Sequence, residues 1–284
     1  MTHTDITHEL QFDVNGHRIA AKSWGPEDGI PVLALHGWLD NAATFNRLAP
    51  HLQGVRLIAL DLMGHGFSDH RPASMPYYIW DNVQDVLGVA DQLGLPTFSL
   101  LGHSMGASIA TLVAGGFPER VSKMVLIEGI GPLVTQAEHT AEQLAAAIKK
   151  RVRMQTRLAK GYRDADIAIT ARMNGRWPVD IQAAKWLVER GLEEREDGFY
   201  WRSDPNLMLP SIMRMTEAQV ESFLTRVTAD TLLILAQNGI PQSERRISLL
   251  QQCTTKRLKG GHHLHLEAQA VGQIATLINE FKFA

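Results

Sequence analysis

The pentad Gly102-His103-Ser104-Met105-Gly106 sets a hydroxyl nucleophile between two glycines. It directly follows the apolar run 98–101 and opens the helix-forming stretch 104–115. A serine on so sharp a strand-to-helix turn is held in strained backbone geometry with its hydroxyl projecting, and the glycines leave room that a β-carbon would fill. The helix beginning beneath it favours negative charge developing there. A serine hydroxyl is still a weak nucleophile until a neighbouring base takes its proton. The cluster Gly260-Gly261-His262-His263-Leu264-His265-Leu266-Glu267 follows the last expected strand and precedes the last expected helix. His262, beside the glycine pair, is assigned as the base, with His263 and His265 as supporting or packing residues. A His-His-x-His run can also ligate a metal. No H-x-H-x-D-H or H-E-x-x-H companion occurs, so no metal is expected.

Two further parts are needed. His36-Gly37-Trp38 follows the apolar run 32–35 and fits an oxyanion loop, with the backbone N–H groups of Trp38 and Met105 as the donors. An acid must accept the second imidazole N–H, fix the tautomer and balance the imidazolium, which calls for an ion and not an amide. The loop Gln237-Asn238-Gly239-Ile240-Pro241, after the run 231–236, holds no carboxylate. Asp230 lies at the opposite end of that run, Glu244 is expected to point outward from the next helix, and Asn238 can orient a ring without balancing its charge. Glu128 closes the run 123–127 at the edge from which Ser104 projects, and is the acid assigned. A capping or core-polar role is its alternative.

These residues need a scaffold. The stretches 9–14 and 17–24, joined by Asn15-Gly16, read as a hairpin. Short apolar runs at 32–35, 57–60, 98–101 and 125–127 alternate with helix-length stretches at 42–52, 78–93 and 104–115. Runs buried on both faces and separated by helices indicate a mostly parallel sheet, here of about eight strands. After Gly131-Pro132 comes a stretch rich in helix formers, with helices expected over 141–160 and 181–194. The pattern then resumes with a strand at 231–236, a helix at 243–251, a strand at 255–258 and a helix at 267–281. The expected organisation is an α/β core of residues 1–131 and 211–284, interrupted by a helical cap at 132–210. Trp177, Trp186 and Trp201, with Met154, Met173 and Met208, could wall an apolar pocket in that cap or pack it onto the core. The basic run Lys149-Lys150-Arg151-Arg153 reads as solvated surface.

Composition narrows the partners. The 284 residues carry 28 Lys+Arg against 30 Asp+Glu, which gives no electrostatic footprint for nucleic acid or an anionic membrane, so a small-molecule substrate is expected. Nothing in the patterning specifies an oligomeric state, and nothing asks for a cofactor. Cys253 is the single cysteine, which excludes an intramolecular disulfide. With no basic-then-apolar leader at the N-terminus, the expected location is cytoplasmic. No apolar run reaches the roughly 18 residues of a membrane span.

Together, His36-Gly37-Trp38-Leu39-Asp40-Asn41, Asp61-Leu62-Met63-Gly64-His65-Gly66-Phe67-Ser68, Pro76-Tyr77-Tyr78, the Ser104 pentad and Gly261-His262 resemble the α/β-hydrolase superfamily. Within it they are most similar to the serine hydrolase-like proteins. The resemblance covers residues 9–131 and 230–282 and leaves out the cap. It implies an α/β-hydrolase fold and acyl transfer to water. The Asp61 segment is read as structural, with His65 buried and hydrogen-bonded. A glutamate at the Glu128 position resembles the acid of some haloalkane dehalogenases, but those enzymes carry aspartate where this chain has Ser104, which disfavours halide displacement and epoxide opening. Three functions follow: an esterase or thioesterase acting on a small, largely apolar substrate, a serine hydrolase of carbon–carbon bonds, and a non-catalytic binding protein.

Overall fold

The computed structural model describes residues 7–154 and 161–283. The strands are β1 (Thr7–Val14), β2 (His17–Trp24), β3 (Ile30–Leu35) and β4 (Val55–Leu60), followed by helix α1 (Asp81–Gln92), strand β5 (Phe98–His103), helix α2 (Met105–Gly116) and strand β6 (Val121–Ile127). Three helices come next, α3 (Thr140–Met154), α4 (Ala165–Met173) and α5 (Ile181–Gly191), then a hairpin of β7 (Leu192–Arg195) and β8 (Gly198–Trp201). Helix α6 (Glu217–Leu224), strand β9 (Asp230–Asn238), helix α7 (Glu244–Leu249), strand β10 (Cys253–Gly261) and helix α8 (Val271–Phe281) complete the chain. The main sheet has eight strands in the order β1-β2-β4-β3-β5-β6-β9-β10. The pairs from β4 through β3 to β10 are parallel, while β1 and β2 join antiparallel. The opening hairpin turns at Asn15 and Gly16 with φ of 54° and 76°, which suits that pair.

Alternation along each central strand divides the core in two. Leu33, Leu35, Ile58, Leu60, Leu100 and Leu126 face α1, α2 and α6, whereas Val32, Ala34, Leu57, Leu101, Val125 and Ile127 face α8 and the residues after Asn41. Fully burying each such Leu or Ile contributes about 1.5–3 kcal/mol, so the parallel centre is the rigid part of the molecule. The carboxyl ends of β3, β5, β6 and β10 carry Trp38, Ser104, Glu128 and His262 on the segments that follow them. The sheet thereby brings all four to one edge.

Several expected elements differ. Residues 42–52 form two 3₁₀ turns, Ala42–Phe45 and Ala49–His51, because Pro50 removes an N–H and disfavours helical geometry at Ala49. The helix expected over 78–93 starts at Asp81, whose side chain accepts the Tyr78 N–H. The helix expected to run to 194 stops at Gly191, since 192–195 pair in register with 198–201 and Leu192 packs against Ala168 and Trp201. Tertiary pairing here overrides the helix propensity of Glu193 and Glu194. The last helix begins at Val271 after a 3₁₀ turn at Leu264–Leu266. Of the helix expected over 141–160, residues 155–160 lie outside the described residues. Among the described residues, no helix is long and apolar enough to cross a membrane.

Helix α5 is fastened to the sheet by charge. The Arg190 guanidinium donates to both Asp61 oxygens at 3.0 Å and to Glu9 at 2.7 and 3.0 Å, and lies over the Phe67 ring at 4.6 Å. Asp61 has no exposure and also accepts the Ala42 and Phe67 N–H groups. Removing one partner of a buried ion pair leaves the other uncompensated. Arg190→Met is therefore expected to lower unfolding free energy by about 3–5 kcal/mol, read from the denaturant midpoint. An unchanged midpoint would contradict this account.

Candidate active site

Ser104 joins β5 to α2 with φ 52° and ψ −110°, a conformation costly for a residue with a side chain. Packing holds it there. A β-carbon on Gly106 would stand 2.0 Å from the Leu35 carbonyl oxygen, one on Gly102 2.6 Å from the Ala107 nitrogen, and one on Gly129 2.6 Å from the Ser104 carbonyl oxygen. The Ser104 N–H is bonded to the Ile127 carbonyl at 2.9 Å. The turn is thus clamped between β3, β5 and β6.

His262 follows β10 with its ring buried, and its Nε2 lies 3.0 Å from Ser104 Oγ. Its Nδ1 lies 3.2 Å from Glu128 Oε2. A carboxylate only accepts, so Nδ1 carries the proton donated to Glu128, and Nε2 is the acceptor facing the hydroxyl. Glu128 is 1% exposed and sits at φ 56°, a second non-glycine residue in the left-handed region at this edge. Its Oε1 accepts the Ala236 N–H at 2.6 Å and its Oε2 the Ile240 N–H at 2.9 Å. The end of β9 and the loop after it therefore each supply an N–H donor to a carboxylate that comes from the neighbouring strand. Gly239 makes room for it, since a β-carbon there would lie 2.0 Å from Glu128 Oε2. Asn238 is exposed, and Glu244 is spent on an ion pair with Arg257.

The segment from His36 to Asn41 is folded tightly, with the Asp40 N–H on the Gly37 carbonyl at 3.1 Å and Leu39 at φ 62°. A β-carbon on Gly37 would stand 2.9 Å from His103 Nδ1, which fixes this loop beside the residue preceding Ser104. Among the described residues, neither the Trp38 nor the Met105 N–H has a hydrogen-bond acceptor. The Trp38 indole donates to the Leu207 carbonyl at 3.1 Å and remains half exposed. The chemistry open to this arrangement is transfer of the Ser104 proton to His262, with two N–H groups available for a developing oxyanion.

Around the relay lies a buried layer of imidazoles. His103 donates from Nε2 to the His262 carbonyl at 2.9 Å, His265 pairs with Thr44 at 2.9 Å, and His263 donates to Asp40 at 3.0 Å. His36 accepts the Leu62 N–H at 3.0 Å and His65 the Leu39 N–H at 3.2 Å, so His65 is a structural residue as expected. Burial pushes the His36, His103, His263 and His265 rings below their usual titration range. It takes His65 down to about 3. Burial alone would raise the Asp40 carboxyl, but His263 and the Arg172 guanidinium outweigh it and hold Asp40 well below the carboxylate range. Atoms of Asp40, His103 and His263 that could ligate a metal lie within 4.8 Å of one another. Arg172 already occupies the electrostatic role of a cation there, bonding Asp40 at 2.9 Å and approaching His263 Nε2 at 3.2 Å.

A cavity of about 1450 Å³ runs under the inserted helices, bounded by Trp38, Phe67, Tyr162, Trp177, Trp201 and Met208. Its lining reaches Trp38 and Trp177 but not Ser104, and the Trp177 ring rests 4.8 Å from that of His262. Of the six Trp and Met residues marked in the sequence, Trp177, Trp201, Met154 and Met208 line it. Trp186 instead stacks under Arg47. Asp40 and Arg172 had no assigned role in the sequence reading. Asp40 lies within the His36–Asn41 motif, while Arg172 lies on α4 with no motif to mark it.

A model of the α/β-hydrolase fold family matches residues 30–239. The chain is 35% identical to a serine hydrolase-like protein of Dictyostelium discoideum over 272 residues, covering 89% of this chain and 75% of that one. It superposes on a crystal structure of a hypothetical protein from Pseudomonas aeruginosa with TM-score 0.90 and 41% identity, covering 96% and 98% of the two chains. A thioesterase domain from the curacin biosynthetic pathway shares the fold at TM-score 0.84 and 24% identity, covering 96% and 99%.

The five depressed histidines stay neutral, with a single ring proton, in the folded chain at pH values where an unfolded chain, with rings near 6.5, binds a second proton on each. Unfolding then takes up protons, so stability falls as pH drops below about 6.5 and continues to fall toward about 3, where His65 titrates. Denaturant unfolding measured through that window is expected to lose stability with a slope of more than one proton. A flat profile from pH 7 to 5 would be incompatible with neutral buried rings.

Proposed function

The chain belongs to the α/β-hydrolase fold family, and from that premise we propose that it is a serine hydrolase cleaving a carboxylic ester or thioester through an acyl-enzyme on Ser104. The observation that carries this reading is the relay of Ser104 to His262 at 3.0 Å and His262 to Glu128 at 3.2 Å, set on a strained strand-to-helix turn. His262 takes the hydroxyl proton as Ser104 Oγ attacks the carbonyl carbon. The Trp38 and Met105 N–H groups receive the oxyanion, and His262 returns the proton to the leaving alcohol or thiol. Water then attacks the acyl-enzyme with His262 again as base, releasing the acid and restoring Ser104. Glu128 keeps the Nδ1 proton in place and balances the imidazolium. We take residues 132–210 as the cap that forms the substrate chamber; Trp38, Trp177 and Trp201 give it aromatic walls suited to a small, largely apolar acyl or alcohol group, and charged side chains such as Arg176, Arg195 and Asp204 line it as well.

A fluorophosphonate is expected to modify Ser104 and abolish activity, with Ser104→Ala resisting the label. Modification mapped by mass spectrometry to a different serine would defeat the assignment. Turnover of esters graded in acyl length then fixes the substrate, and a chain that cleaves a vinylogous diketone but no ester would be a carbon–carbon hydrolase.

The second expectation concerns the acid. Glu128→Gln should reduce kcat by about 10⁴, the size of the serine-protease aspartate-to-asparagine effect, with a far smaller change in KM. Asn238→Ala and Glu244→Gln should leave kcat near the parent value. Collapse in either of these with normal turnover in Glu128→Gln would move the acid elsewhere. Gly239→Asp should not rescue Glu128→Gln, because a β-carbon at Gly239 meets the group at position 128 whether it is acid or amide.

A further inference from the structure

Arg172 projects from α4 toward two of the segments on which the proposed chemistry depends, the loop after β3 and the loop after β10. One Nη2 lies 2.9 Å from Asp40 Oδ1 and 3.2 Å from His263 Nε2, while Nη1 donates to the Trp177 carbonyl at 2.9 Å. Asp40 closes the oxyanion loop two residues after Trp38. His263 adjoins His262 in the chain and bonds the other Asp40 oxygen at 3.0 Å. Trp177 lays its ring against the His262 imidazole. The side chains are 16% exposed at Arg172, 3% at Asp40 and 7% at His263, so little water competes for these bonds.

The consequence is geometric. Arg172 bonds the loop after β3 directly at Asp40, and reaches the loop after β10 through Asp40, which accepts from His263 in turn, while the Trp177 ring beyond α4 lies against His262. The donor is a planar fork, which fixes direction as well as distance, and which lysine cannot reproduce with one ammonium.

We propose that Arg172 is a positioning residue for the reaction: seated on Asp40, His263 and Trp177, it sets the oxyanion loop and the His262 ring in register with Ser104 when α4 is docked. The inference rests on the serine-hydrolase reading above. It adds that the proposed site is complete only with α4 in place, and that this coupling runs through one guanidinium.

The test compares the parent chain with Arg172→Met and Arg172→Lys, each checked for folding by its melting transition. Misplacement of reacting groups by about 1 Å costs about 10²-fold, so Arg172→Met should lower kcat by about that factor with KM changed far less. Phosphonylation of Ser104 should slow in parallel, and Arg172→Lys should recover part of both. If kcat per folded molecule is unchanged while only the melting temperature falls, Arg172 is a structural tie and the proposal fails. If KM rises with kcat constant, it binds substrate and the proposal fails in another way. A second readout needs no turnover: the His262 Nδ1 proton bonded to Glu128 should give a downfield resonance, identified by its loss in Glu128→Gln. It should broaden into solvent exchange in Arg172→Met. Should the parent chain neither hydrolyse esters nor take the label, the serine-hydrolase reading falls alone, and an unaltered resonance in Arg172→Met would still overturn the positioning role.

Discussion

The backbone at Ser104 is the constraint on which the rest of the edge depends. A side-chain-bearing residue at φ 52° sits uphill by about 1–3 kcal/mol and stays there only because its surroundings leave no alternative. Leu35 blocks relaxation from β3 and Ile127 holds the amide from β6. Gly102, Gly106 and Gly129 are the places where any added carbon would strike backbone. The strained turn is thus held by the three most central strands, and their apolar cores on both faces supply the stiffness. Glu128, at φ 56°, repeats the device one strand away. Two residues in costly conformations face each other across the ring of His262.

The inserted helices are held differently. Their charged links to the sheet edge are arginines on buried carboxylates, Arg190 on Asp61 and Arg172 on Asp40, with the exposed Glu9 a second partner of Arg190. Desolvating such pairs offsets much of their attraction, so their contribution is geometrical selectivity more than net stability. An apolar contact would let a helix slide, whereas a forked guanidinium on a carboxylate has one seat. One small hydrophobic cluster, Ala183 and Leu187 with Leu266, joins them to the loop after β10, while Ala168, Val188 and Leu192 pack the inserted elements on one another. Burial acts on the imidazoles around His262 as well: His103, His263 and His265 are desolvated and held below their usual titration range.

Much of this was legible in the chain. Apolar runs of strand length announced β3 to β6 and β9, and the two glycines around Ser104 announced the turn, because steric rules act on neighbours in sequence. The placement of Glu128 beside His262 followed from strand ends sharing one edge. What failed depended on partners far away in sequence. Glu193 and Glu194 pair as a strand only because residues 198–201 return alongside them. Pro50, by contrast, is a local signal, a ring that breaks the helical stretch from within. Asp40 and Arg172 are 132 positions apart, and no periodicity marks a charge that will be buried against its opposite.

The acid's position has a further consequence for how freely the chain can change. In the proposed arrangement Glu128 is held by main-chain amides at Ala236, near the end of β9, and at Ile240, on the loop that follows, and neither contributes a catalytic side chain. Main-chain amides are common to every residue but proline, so the requirement at Ile240 is nearly silent in the amino-acid alphabet. Most of the loop's information content sits in one position, Gly239, where absence of a side chain is the message. The mutational spectrum of residues 237–243 should then be broad at all sites but this one, apart from proline at the amide donors. A search for the acid that reads side chains in this loop would pass over the very segment that holds it.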